Sequence, residues 1–106
     1  MGFISFACYR PKPGKDEDLA QLMREHVPIL REEGLVTDRI PVIVHSKDGT
    51  VVEVFEWNSP AAIEDAHKNP AVHALWARFN EACTYVKLSD LPESADMFAS
   101  FNPLEL

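Results

Sequence analysis

The sequence is poor in positive charge, and what it has is scattered. Ten Lys and Arg stand against 17 Asp and Glu, a formal net charge of −7. Phosphate backbones and anionic lipid surfaces are held by clustered cations, so this pattern argues against nucleic-acid and membrane partners. Long apolar runs are missing as well, and no stretch approaches the length a membrane span needs. The opening Met-Gly-Phe-Ile-Ser-Phe-Ala-Cys-Tyr-Arg has no basic n-region and alternates as a strand does, so no signal peptide is expected and the location reads as cytoplasmic. Cysteine is scarce. Cys8 and Cys83 lie far apart without a CxxC or a Cys/His ligand spacing, which reads as two reduced, buried thiols rather than a disulfide. The four histidines form neither HxH nor HExxH and have no matching carboxylate spacing, so no metal site is expected. Internal repeats, low-complexity tracts and linkers are absent too.

What is present is an ordinary globular composition, 46% apolar and 25% charged, over 106 residues. That implies a single domain, residues 1–106, near the small end for independent stability, so that a partner subunit would help it. Phe3 to Arg10 alternates with both sets largely apolar, the pattern of a central strand covered on both faces. Pro11-Lys12-Pro13-Gly14 breaks it, and Asp16, Glu17 and Asp18 open a helix where the macrodipole favours negative charge. This helix runs to about Glu33 with Leu19, Leu22, Met23, His26 and Leu30 on one stripe, a kink expected at Pro28, and a stop at Gly34.

Leu35 to Ser46 reads as a strand that Pro41 marks as an edge or a bulge. The Asp-Gly of Lys47-Asp48-Gly49-Thr50 turns it into an antiparallel third strand, Val51 to Trp57. Asn58-Ser59-Pro60 then starts a short helix over Pro60 to Lys68, with Ser59 as N-cap and Pro60 at the first helical position. Ile63, Ala66 and His67 share its apolar stripe. After Asn69-Pro70 a further helix spans Ala71 to Cys83, with Val72, Leu75, Trp76, Phe79 and Cys83 facing inward. Thr84 to Leu88 makes a fourth strand. Residues 91–106 form a tail whose Met97, Phe98, Phe101, Leu104 and Leu106 are too hydrophobic for a disordered end, and it should pack on the domain or on a partner subunit.

The order β-α-β-β-α-β is the ferredoxin-like α+β arrangement: one four-stranded antiparallel sheet with helices on a single face. The other face is largely apolar, so two subunits packing sheet to sheet into a homodimer is the expected solution.

Few residues carry a chemical signal. His67 and His26 sit on inward stripes, and an imidazole is the side chain that exchanges protons near neutral pH. Trp57 ends the third strand and needs a partner for its N–H when buried. His45 and His73 read as solvated, and Tyr9 and Tyr85 could face either side of the sheet.

Arg-Pro-Lys-Pro-Gly before a helix bearing Met23-Arg24-Glu25-His26, and Phe55-Glu56-Trp57-Asn58-Ser59 followed by Ala66-His67 and Asn69-Pro70, resemble the dimeric α/β-barrel superfamily, specifically its antibiotic-biosynthesis-monooxygenase-like proteins. The resemblance covers Phe3 to about Leu88 and implies two ferredoxin-like subunits closing a barrel. It also implies oxygenase chemistry without a cofactor on a small aromatic or quinol, with His67 and His26 as catalytic candidates and Trp57, Trp76, Ala7 and Phe55 lining the substrate. Two positions depart from the pattern: Ala7 stands where the haem-degrading branch carries Asn, and Glu53 where quinone-forming members tend to have Asn. The competing expectation is a non-catalytic dimer, a small-ligand binder or stress-associated protein that fills its own cavity. A solvent-reached cavity beside His67 separates the two.

Overall fold

The computed structural model describes residues 2–106; Met1 lies outside them. Its elements are β1 (Phe3–Pro11), α1 (Asp16–Glu32), β2 (Val42–His45), β3 (Val51–Trp57), α2 (Pro60–Ala66), α3 (Pro70–Ala82), β4 (Cys83–Val86) and β5 (Asn102–Pro103). The five strands form one antiparallel sheet in the order β4-β1-β3-β2-β5, an α+β, ferredoxin-like arrangement. The β2–β3 hairpin turns where Asp-Gly requires it: Gly49 has φ +91°, and Ser46 N–H reaches the Thr50 carbonyl at 2.8 Å.

Several boundaries differ from the sequence pattern. The second strand is expected over Leu35 to Ser46 but holds only Val42–His45. Upstream, Val36 makes an isolated bridge to Trp57, and Thr37 and Arg39 both donate to the Glu56 carboxylate, so residues 37–41 bend around a polar anchor instead of extending. Pro41, which has no N–H to give a ladder, falls just outside the strand. The fourth strand is Cys83–Val86; α2 ends at Ala66, short of the expected Lys68, and α3 begins and ends one residue earlier than its pattern, at Pro70 and Ala82. Ser59 holds the N-cap position of α2 in extended backbone but makes no side-chain cap bond. The side-chain cap is at α3, where Asn69 Oδ1 accepts from the N–H groups of Ala71 and Val72.

The tail supplies a fifth strand that the local pattern does not announce. Two 3-10 turns, Leu88–Asp90 and Pro92–Ala95, lead to β5, which pairs with β2 through Val44 and His45. β2 is therefore not an edge strand.

The helices cover one sheet face. From α1, Leu19, Leu22, Met23, His26, Val27 and Leu30 are buried, and the helix continues through Pro28 until Gly34, at φ +73°, closes it. Arg78 of α3 grips Glu25 of α1 with two bonds of 2.7 and 2.8 Å, tying the helices together. The opposite face is half covered: Leu91 and Phe101 of the tail pack on Cys8 and Val52. Ile4, Phe6 and Val42 are left open, Phe6 being 58% exposed, so β1 is central but covered on both faces along only part of its length. Cys8 belongs to this outer cluster and Cys83 to the helix-side core; both are buried and free. Among the described residues no helix is long and apolar enough to cross a membrane.

Candidate functional site

Strand alternation and register decide which side chains meet the helices. In the β1–β3 ladder Ser5 lies opposite Phe55, Ala7 opposite Glu53 and Tyr9 opposite Val51, while β4 places Tyr85 beside Tyr9. These residues share the helix-facing side, because side chains two apart on a strand point the same way. Under them α1 contributes His26, the α2 end contributes His67, and α3 contributes Trp76 and Phe79. Of those sheet residues, Ala7, Tyr9, Phe55 and Tyr85 line with them a cleft of about 320 Å³. Ala7, His26, Phe55, Trp57, His67 and Trp76, drawn from five elements and 70 positions of sequence, all border this one space.

Behind the cleft wall, bonded to its lining residues Tyr9 and His26, is a buried carboxylate. Glu53 is 0% exposed, and its Oε1 accepts from the Tyr9 hydroxyl at 2.9 Å and lies 2.7 Å from His26 Nδ1. Facing an oxygen that already accepts, Nδ1 is the donor, which leaves the lone pair on Nε2. Neither His26 Nε2 nor Glu53 Oε2 has a partner among the described residues. Oε2 is sealed from solvent, whereas the His26 ring borders the cleft. Phe55 and Phe79 hold that ring edge-on, with centroids 5.3 and 5.0 Å away, so its orientation is fixed by packing as well as by Glu53.

Burial, and after it the Glu53 carboxylate, push the Tyr9 phenol well above the ordinary tyrosine range, so it remains a donor at any working pH. Burial pushes the Tyr85 phenol up as well, with Cys83 adding to it. The Cys83 thiol is driven up to about 11 by burial, which makes it an inert packing group.

The two histidines differ. His26 is 3% exposed, while His67 is exposed at the mouth of the cleft. The sequence places His67 on a buried stripe; the structure ends α2 at Ala66 and makes His67 the C-cap, where Nδ1 donates to the Ile63 carbonyl at 2.7 Å. Its ring still faces Trp76, edge to face at 5.0 Å. Trp57 is buried and its N–H donates to the Ser5 hydroxyl at 3.1 Å, so the indole forms part of the wall and offers no free donor. His73 is exposed, as its position off the stripe implies, but His45 is half-buried against the Ser46 carbonyl.

Sequence reasoning missed Glu53 as a working residue and left Tyr9 undecided. A signal for Glu53 existed: it alternates with Val51, Phe55 and Trp57, so a charged group occupies a slot the strand period assigns to the core. A larger hollow, about 580 Å³ between α1, the β2–β3 hairpin and Leu104, is a weaker candidate. Its most prominent charges, Arg10 and Asp48, satisfy each other at 3.1 Å. Among the described residues no three His, Cys, Asp or Glu side chains converge as metal ligands would.

No family model and no curated protein matches the chain. Among solved structures, the Rv0793 protein of Mycobacterium tuberculosis is similar, with a TM-score of 0.62 and 21% identity over 79% of this chain and 85% of that one. The likeness is one of fold.

Proposed function

We propose that the protein is a dimeric oxygenase that uses no cofactor and acts on a small phenol or hydroquinone held in the aromatic cleft. The observation that carries this reading is the Glu53–His26 pair, 2.7 Å apart, whose imidazole borders that cleft with Nε2 unpartnered. A phenol entering the cleft meets flat hydrophobic walls and one fixed acceptor. His26 Nε2 takes the hydroxyl proton, and Glu53 steadies the imidazolium that results. The phenolate is electron-rich enough to reduce dioxygen itself. A phenol with an open para C–H plus O2 then gives a para-quinone plus water, and a hydroquinone with an open ring C–H plus O2 gives a hydroxyquinone plus water, all electrons coming from the substrate. Exclusion of water by Trp57, Trp76 and Phe55 strengthens the charge interactions while this happens. His67 at the mouth is placed to contact the ligand's outer end.

The resemblance to antibiotic-biosynthesis-monooxygenase-like proteins supports the same reading, as does a solvent-reached cleft beside His67, which a self-filled module would not keep. The dimer is proposed to form through the uncovered apolar patch of Ile4, Phe6 and Val42. A second reading, a ligand binder without turnover, is favoured by the low exposure of His26, which gives a substrate little of the ring to reach.

Oxygen uptake by metal-free protein with a panel of hydroquinones and polycyclic phenols separates the readings. The oxygenase predicts equimolar loss of substrate and O2, falling about 10²–10⁴-fold in His26→Gln. Tight binding of a phenol with no uptake in either protein would establish the binder instead.

A further inference from the structure

The Tyr9 hydroxyl is the second donor on the oxygen that holds His26, and a reaction needing one base and one orienting carboxylate does not require it. We propose that Tyr9 is a positioning residue that sets the basicity of His26 through Glu53. This rests on the assignment of His26 as the base of the cleft.

Three observations support it. Tyr9 and His26 converge on the same atom, Glu53 Oε1, at 2.9 and 2.7 Å. The other oxygen, Oε2, is buried without a partner, so the carboxylate's charge is shared between these two donors and not spread over further bonds. Burial and Glu53 keep the Tyr9 phenol protonated, so it donates permanently.

The consequence follows from competition for one acceptor. A buried carboxylate with a single donor would hold the imidazolium strongly, and His26 would enter the reaction already charged and unable to accept a proton. A neutral donor that occupies the same oxygen takes up part of that attraction, so the carboxylate holds the imidazolium less tightly than it would alone. Other groups around His26 are differently placed. Tyr85 of β4 lies beside Tyr9, its ring tilted by 58° with centroids 5.9 Å apart, and has no bond to Glu53. On α1 the neighbouring Glu25 is spent on Arg78 of α3. Cys83 is bonded to the Phe79 carbonyl, and His67 to the Ile63 carbonyl.

The test is a proton–nitrogen NMR titration of the His26 ring, which reads the network whether or not the protein turns anything over. In Tyr9→Phe, which keeps the ring packed on Phe79, the His26 midpoint rises by about one pH unit relative to the native protein. Tyr85→Phe removes a hydroxyl from the neighbouring ring and leaves the midpoint where it was. Should Tyr9→Phe fail to fold, a fluorinated tyrosine incorporated at position 9 keeps the bond and strengthens the donor, and the midpoint then falls. An unmoved or lowered midpoint in folded Tyr9→Phe overturns the proposal, as does an equal rise in Tyr85→Phe or an unmoved midpoint with the fluorinated ring. In an oxygenase assay the acid limb of the rate profile moves with the midpoint. A midpoint that shifts in a protein without uptake would leave the Tyr9 coupling standing and remove the oxygenase.

Discussion

Removing His26 and removing the charge of Glu53 do different damage. His26→Ala leaves a fully buried carboxylate held by Tyr9 alone, and breaking a buried hydrogen-bonded pair from one side costs about 3–5 kcal/mol. Glu53→Gln keeps the volume and one acceptor oxygen, and exchanges the unpartnered Oε2 for an amide that can donate. It should therefore unfold in urea much nearer to the native protein than His26→Ala does. Equal midpoints for His26→Ala and the native protein would mean that the pair holds nothing together. His67→Ala, at an exposed C-cap, should leave the urea midpoint nearly unchanged, because its bond to the Ile63 carbonyl competes with water.

Between elements, an acid-sensitive contact pins the tail. Glu93 is buried between the second 3-10 turn and the β2–β3 hairpin, where it accepts from the Lys47 N–H at 2.9 Å and the Ser46 hydroxyl at 2.7 Å. The Lys47 amide first, and the Ser46 hydroxyl next, hold its carboxyl below the usual glutamate range. A lowered folded value means stability that is full above the ordinary glutamate range and lost as the pH falls through the folded value. Amide exchange of β5 and the 3-10 turns should therefore quicken on acidification before the β1–β3 ladder does, and Glu93→Gln should make exchange at the tail less dependent on pH. Tail and ladder opening together would place the weak point elsewhere.

The elements also show where local pattern suffices. α1 was legible because its stripe, acidic first turn and terminal Gly34 agree. β5 was not, since Asn102–Pro103 carries no strand pattern and exists through pairing with β2, nearly 60 residues away in sequence. β2 was over-read because Val36 and Ile40 continue an alternation that Thr37, Arg39 and Glu56 override with side-chain bonds. In the cleft the aromatic walls could be found from stripe and strand end. The triad could not, since nothing local tells Glu53 that Tyr9 and His26 will arrive at the same oxygen.

For the whole molecule, the question is what covers Ile4, Phe6 and Val42. The tail shields the Cys8–Val52 half of the outer face, and the proposed second copy covers the remainder. Phe6→Asp places a carboxylate in that apolar patch in both copies and should convert a dimer to a monomer at micromolar concentration. Light scattering that gives one chain mass for the native protein would overturn the assembly.

The central claim is that the cleft removes a proton from a phenol, and an anaerobic titration reads that step before oxygen enters. A naphthol whose anion absorbs apart from its neutral form, added at a pH below its own ionisation, should show the anion spectrum on binding to the native protein and lose it with His26→Gln. A naphthol that binds and stays neutral would contradict the account.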